Sequence, residues 1–282
     1  MRKGLLLLVI GILILSACQP QKLASTSLPA TDTPMETELP GPTETAALTP
    51  MPTQPPQTPT STQIVMRVCS PLENETFDTL SSIIVNPMVI PVFGRDDGHH
   101  GIDFAYYRRG EQESILGIEV YAVLSGKTVQ TLEDSTPYGY AILIETPLSD
   151  LSKELQEDLA ARYQPIPENV KYQGECPSID PPEVTGELSL YHLYGHLEEK
   201  PAFIPGDLVP CGAKLGTVGN TGRSSNPHLH LETRLGPANA EIGDMAFYET
   251  TYTEEQRANY CLWRMSGYFQ LFDPFLIFEH GR

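Results

Sequence analysis

Seven histidines occur in this chain, and six of them fall in three short clusters. The first is Gly98-His99-His100-Gly101-Ile102-Asp103, in which a glycine lets the backbone turn and brings an imidazole and a carboxylate together. Nitrogen and oxygen donors of this kind suit Zn²⁺. The second is Pro227-His228-Leu229-His230-Leu231-Glu232. On a strand its two histidines share one face while Leu229 and Leu231 share the other, so the leucines enter a core and the histidine side is left for a cleft. The third, Tyr194-Gly195-His196-Leu197, closes an apolar run that begins near Leu188 and contains His192. Each cluster alone is a weak signal, because a histidine-rich turn or a lone histidine is more often structural than catalytic. Their combination points to metal-assisted acid–base chemistry.

These side chains need strands and tight turns to hold them. Gly117 to Leu124 approaches alternation, with Ser125-Gly126 as a turn before Lys127-Thr128-Val129. Tyr140 to Glu145 and Leu188 to Tyr194 read as a further β pair, and Gly206, Gly212, Gly216, Gly219 and Gly222 punctuate short apolar runs. The domain is expected to be mainly β.

Taken in order, several segments resemble the lysostaphin/LytM-type peptidases, zinc endopeptidases of bacterial cell walls. They are His99-x-Gly101-x-Asp103, Val120 to Gly126, Tyr194-Gly195-His196-Leu197, Gly206-Asp207-x-Val209-x-x-Gly212, Gly216-x-x-Gly219-Asn220-Thr221-Gly222 and His228-Leu229-His230. The resemblance covers about residues 87 to 234. It implies an antiparallel β-sheet or sandwich domain (a duplicated hybrid motif) with an open groove. It also implies one Zn²⁺ per chain held by His99, Asp103 and His230, with His196 and His228 beside the metal-bound water. His100, His192 and His280 have no role in that pattern.

Three protein ligands leave a fourth tetrahedral position for water, as catalytic zinc sites do. His228 and His196 are the candidates for moving the proton and for stabilising the intermediate, and their roles are exchangeable. No H-E-x-x-H glutamate base is present. The expected activity is hydrolysis of peptide bonds in peptidoglycan. The alternative from another class is a non-catalytic regulator of other wall hydrolases; such degenerate domains lose metal ligands, and here none is missing.

The beginning of the chain adds an address. Arg2 and Lys3, the apolar run Leu5 to Leu15 and then Ser16-Ala17-Cys18 read as an export signal over residues 1–17. The run is shorter than the roughly 20 residues that span a bilayer. Leu15-Ser16-Ala17-Cys18 resembles a lipobox, which makes Cys18 the lipidated residue and the membrane anchor, since two acyl chains give stable attachment. Residues 19 to 62 hold ten Pro and eleven Thr with no aromatic residue, too little apolar surface to offset chain entropy. They form a tether which, at ~3.1 Å per residue, reaches on the order of 100 Å. The remaining domain is expected over 63–282, with an insertion at about 147–187.

A formal charge of −18 argues against nucleic acid as a partner. Apart from Cys18, four cysteines remain: Cys69, Cys176, Cys211 and Cys261. None lies in a C-x-x-C pair, so disulfides are a better expectation than a cysteine zinc site, with three connectivities open. The insertion starts with a helical-looking Leu151 to Tyr163 and is expected to form a wall of the substrate groove. The stretch from Thr253 reads as a helix that packs its aromatics on the sheet, with Trp263 as a core anchor.

Overall fold

A computed structural model describes residues 66–281, so the export signal, Cys18 and the tether lie outside the described residues. Ten strands follow in chain order: β1 (Ile84–Asn86), β2 (Ile102–Phe104), β3 (Glu119–Tyr121), β4 (Gly126–Ser135), β5 (Gly139–Pro147), β6 (Leu188–Leu197), β7 (Leu208–Val209), β8 (Lys214–Thr217), β9 (Leu229–Pro237) and β10 (Gln270–Leu271). Four α-helices accompany them: α1 (Phe77–Leu80), α2 (Lys153–Arg162), α3 (Glu254–Arg264) and α4 (Phe275–Glu279). The main sheet runs β1-β2-β9-β6-β5-β4-β7, with β10 also paired to β9, and β3 and β8 form a separate pair. Every named strand pairing is antiparallel. The architecture is therefore mainly β, as expected from the alternation and the glycine spacing, and antiparallel, as the family resemblance implies.

Strand alternation divides the sheet into two buried faces. Ile142, Ile144, Leu190, Tyr194, Leu229, Leu231 and Leu235 enter one apolar cluster with Phe104 and Val120. Ala141, Leu143, Tyr191 and Leu193 enter a second cluster, beneath α3, with Tyr260, Leu262, Trp263 and Phe269. Helix α3 is well delimited. Thr253 Oγ1 accepts from Gln256 N at 3.1 Å while Gln256 Oε1 accepts from Thr253 N at 2.9 Å. Glu254 and Glu255 in its first turn and Arg264 in its last match the helix dipole. Trp263 is fully buried, as expected of a core anchor.

This second layer corrects one expectation. The histidine side of β9 is open only at its start, because beyond His230 the same face continues as Glu232 and Arg234, both buried. The leucine alternation shows which side of the strand faces the first core; it carries no information about what α3 brings to the other side.

The insertion opens with the expected helix. Ser152 Oγ accepts from Leu155 N at 3.3 Å and caps α2, whose Leu155 and Leu159 are buried in the first core cluster. The rest of the insertion is mostly exposed, and it packs along 91–95, lining a cavity with Pro91, Phe93, Val170 and Lys171. None of its residues lines the cavity beside Asp103 and His228. The cysteines pair as Cys69–Cys211 and Cys176–Cys261, the second joining the insertion to α3.

Candidate metal centre

Three adjacent strands place the centre. Across β2 and β9 Asp103 pairs with His230, and across β6 and β9 Gly195 pairs with His230. A Cβ at Gly195 would lie 3.5 Å from His230 Cβ, in ordinary contact. Gly101 is far more constrained, since a Cβ there would stand 2.6 Å from Leu231 O and 2.9 Å from His230 Nε2. The glycine of His99-x-Gly101-x-Asp103 is thus needed for close packing on the His230 ring. His99 itself is fixed by an antiparallel bridge to Val89, with Val89 N donating to His99 O at 2.8 Å and His99 N to Val89 O at 3.1 Å.

Three imidazoles converge on one carboxylate oxygen. Asp103 Oδ1 lies 2.7 Å from His230 Nδ1, 3.1 Å from His99 Nε2 and 3.5 Å from His228 Nε2. One donor atom each from His99, Asp103 and His230 lie within 4.8 Å of one another. The unused ring nitrogens are engaged elsewhere: His99 Nδ1 lies 3.1 Å from Pro87 O, and His230 Nε2 lies 3.1 Å from Glu232 Oε1. Asn86 Nδ2 donates to Asp103 Oδ2 at 3.1 Å. Two imidazole nitrogens and one carboxylate oxygen, each backed by an outer partner, form a donor set that fits Zn²⁺.

His196 and His228 stand beside this set, with ring centroids 4.5 Å apart. His196 Nδ1 lies 2.8 Å from Thr221 O and His228 Nδ1 lies 2.8 Å from Asn226 O. Each therefore donates Nδ1–H to a backbone carbonyl and keeps Nε2 as an acceptor. His196 adopts φ +59°, the left-handed region, which turns its ring out of the strand's alternation. His228 side chain, 15% exposed, and His99, 19%, lie at the mouth; His230, 7%, forms the floor. A cavity of about 290 Å³ opens beside Asp103 and His228, lined also by Asn86, Tyr106, Tyr107 and Asn226.

The charges follow from these contacts. Burial alone would raise the Asp103 carboxyl, but hydrogen bonds from His230 and His99 outweigh it and hold the group well below the usual carboxylate range. Burial would lower His230, yet hydrogen bonds to Asp103 and Glu232 carry it up to about 9. His196 is pushed down to about 3 by burial and by the neighbouring His230 and His228. Burial also lowers His228.

The other histidines lie elsewhere. His192 is sealed inside the sheet, with Nδ1 2.8 Å from Tyr194 Oη and Nε2 3.1 Å from Thr146 Oγ1. His100 is buried and accepts from Arg234 Nη2 at 2.8 Å. His280 is exposed at the end of α4. Sequence reasoning gave no role to Asn86 or Glu232. The signal for Glu232 was present, because it is the next residue on the His228/His230 face.

Comparison with known proteins bears on this arrangement. Residues 183–241 match the model of Peptidase family M23. That stretch contains His196, His228 and His230, and with it the resemblance to lysostaphin/LytM-type peptidases drawn from the motifs is met. No curated protein sequence matches the chain. The solved structures similar to it include an M23 peptidase from Pseudomonas aeruginosa at 18% identity, covering 77% of this chain and 56% of that one, with a TM-score of 0.32. The catalytic domain of the antimicrobial peptidase lysostaphin from Staphylococcus simulans is 17% identical, with 73% and 99% covered and a TM-score of 0.36. A zinc-containing peptidase from Vibrio cholerae is 24% identical, with 60% and 33% covered and a TM-score of 0.29. The chain thus spans about half the length of the first of these and a third of the last.

Proposed function

We propose that the chain is a zinc-dependent endopeptidase that hydrolyses peptide bonds of bacterial peptidoglycan, exported and anchored to the membrane through lipid on Cys18. The observation that carries this reading is the convergence of His99, Asp103 and His230 beside two imidazoles, His196 and His228, whose Nδ1 atoms are held by backbone carbonyls so that Nε2 is left as the acceptor. The match to a peptidase family supports it.

One Zn²⁺ fits the donor set His99 Nε2, Asp103 Oδ1 and His230 Nδ1; when bound it supplies Lewis acidity at a scissile carbonyl and acidifies water toward a pKa of ~7. His228 Nε2, at the mouth, takes a proton from the attacking water and returns it to the leaving amine as the C–N bond breaks. The backbone carbonyl of Asn226 holds the ring in the tautomer this requires. His196, whose Nδ1–H is held by the Thr221 carbonyl, presents a second Nε2, which accepts a hydrogen bond from the attacking water and helps to orient it. Of the two, His228 is the base, because the deeper burial of His196 makes its protonated form the costlier. Asp103 binds as a carboxylate throughout, because its hydrogen bonds keep it ionised.

Release of new amino groups from purified peptidoglycan, with and without a zinc chelator, tests the reading. Cleavage is expected to stop with chelator, and His228→Ala is expected to lower it by ~10²–10⁴-fold while zinc remains bound. A folded, zinc-loaded protein that releases no amine from any wall tested would contradict the peptidase reading and favour a regulator.

A further inference from the structure

Glu232 is fully buried and is met by four groups from three parts of the chain. Its Oε1 takes Tyr138 Oη at 2.8 Å, from the β4–β5 connection, and lies 3.1 Å from His230 Nε2. Its Oε2 takes Arg234 Nε at 3.0 Å and Trp263 Nε1, from α3, at 3.0 Å. Arg234 is itself pinned by donating to Trp263 O at 2.9 Å and Phe269 O at 3.0 Å, with its guanidinium 4.7 Å from the Trp263 ring centroid. A buried carboxylate with all these donors has no second position to move to, because any shift leaves a donor unpaired.

An imidazole presents two nitrogens, and rotation of the ring exchanges them. For His230 the exchange would turn Nδ1 away from Asp103 and His99. Donation of Nε2–H to an immobile Glu232 prevents it and leaves Nδ1 as the atom facing the other two donors. The donor set depends in this way on a residue from α3, which lies C-terminal to the family-matched stretch 183–241.

We propose that Glu232 is a positioning residue of the metal centre, holding the His230 ring with Nδ1 toward His99 and Asp103, and that the Trp263 indole N–H holds Glu232 in turn. The proposal rests on the reading of His99, Asp103 and His230 as a zinc site.

The test uses the full chain, with zinc affinity measured by competition against a chromophoric chelator and the visible spectrum of the Co²⁺-substituted protein as a second readout. Glu232→Gln, which keeps the shape and loses the charge, is expected to weaken zinc about 10–100-fold and to change the Co²⁺ bands. Trp263→Phe keeps an aromatic ring but loses the N–H together with part of the ring's volume, and is expected to weaken zinc by about threefold or more in the same direction. If Glu232→Gln does not fold, Trp263→Phe decides. Variants that melt earlier yet bind zinc like the parent, with unchanged Co²⁺ spectra, would reduce Glu232 to a fold-stabilising group and overturn the proposal while leaving the zinc reading intact. A parent chain that binds no zinc would overturn both.

Discussion

His192 and His230 are buried imidazoles in adjacent strands of one sheet, and their surroundings drive them in opposite directions. His192, on β6, meets only hydroxyls, Thr146 and Tyr194; burial pushes it down to about 3 and keeps it neutral. His230, on β9, lies between the carboxylates of Asp103 and Glu232, which outweigh burial and carry it up to about 9. Burial therefore does not decide what a histidine does here. Neighbouring carboxylates do, and they separate an imidazole that is part of the interior from the one proposed here to exchange a proton for a cation.

The comparison is broken most severely at His230 itself. His230→Ala is expected to abolish stoichiometric zinc binding and to leave Glu232 a buried carboxylate short of one donor, which lowers stability as well. By contrast His192→Gln should bind zinc as the parent does. Calorimetric zinc titration together with thermal unfolding of the two variants separates the outcomes; equal zinc binding by the parent and His230→Ala would remove His230 from the centre.

Acid unfolding gives the next largest effect. The folded value of His192, about 3, lies below its ordinary ~6.5, so between these limits the unfolded chain binds a proton that the folded chain refuses. The stability this represents is fully present above pH ~6.5 and is lost as pH falls toward 3, a total of ~5 kcal/mol. Urea unfolding over that range should show a shallower acid loss in His192→Gln. Parallel pH profiles for the two proteins would mean that His192 takes up its proton without cost.

His230 sharpens the comparison from the other side, at about one decade per pH unit. Its Nδ1 proton must leave before a cation binds, so apparent zinc affinity should rise roughly tenfold per pH unit below about 9 and level off above it. Chelator competition between pH 6 and 10 measures the slope. An affinity that is flat below pH 9 would mean that His230 carries no such proton.

Part of this site was legible in alternation and short-range spacing, and the grouping of His99, Asp103 and His230 came from the family resemblance. His228-x-His230 places two rings on one side of a strand, and Gly101 provides the close approach that the His230 ring requires. What was not legible depends on contacts between residues far apart in the chain. The pairing of Cys176 with Cys261, the indole of Trp263 on Glu232 and Asn86 on Asp103 join segments 85, 31 and 17 positions apart. No periodicity encodes those distances. The insertion's packing was hidden for a related reason: its length says nothing of where it lies, whereas Leu155 and Leu159 give α2 a place in the core and the remainder runs beside 91–95. Likewise the open histidine face was inferred from a single strand, whereas the helix that closes half of it begins only at Glu254.

The most direct test of the central claim is an anomalous difference map at the zinc absorption edge from crystals of the zinc-loaded protein. One peak bonded by His99 Nε2, Asp103 Oδ1 and His230 Nδ1, with Glu232 still on His230 Nε2, is the predicted result. A peak elsewhere, or one bonded through His230 Nε2, would contradict it.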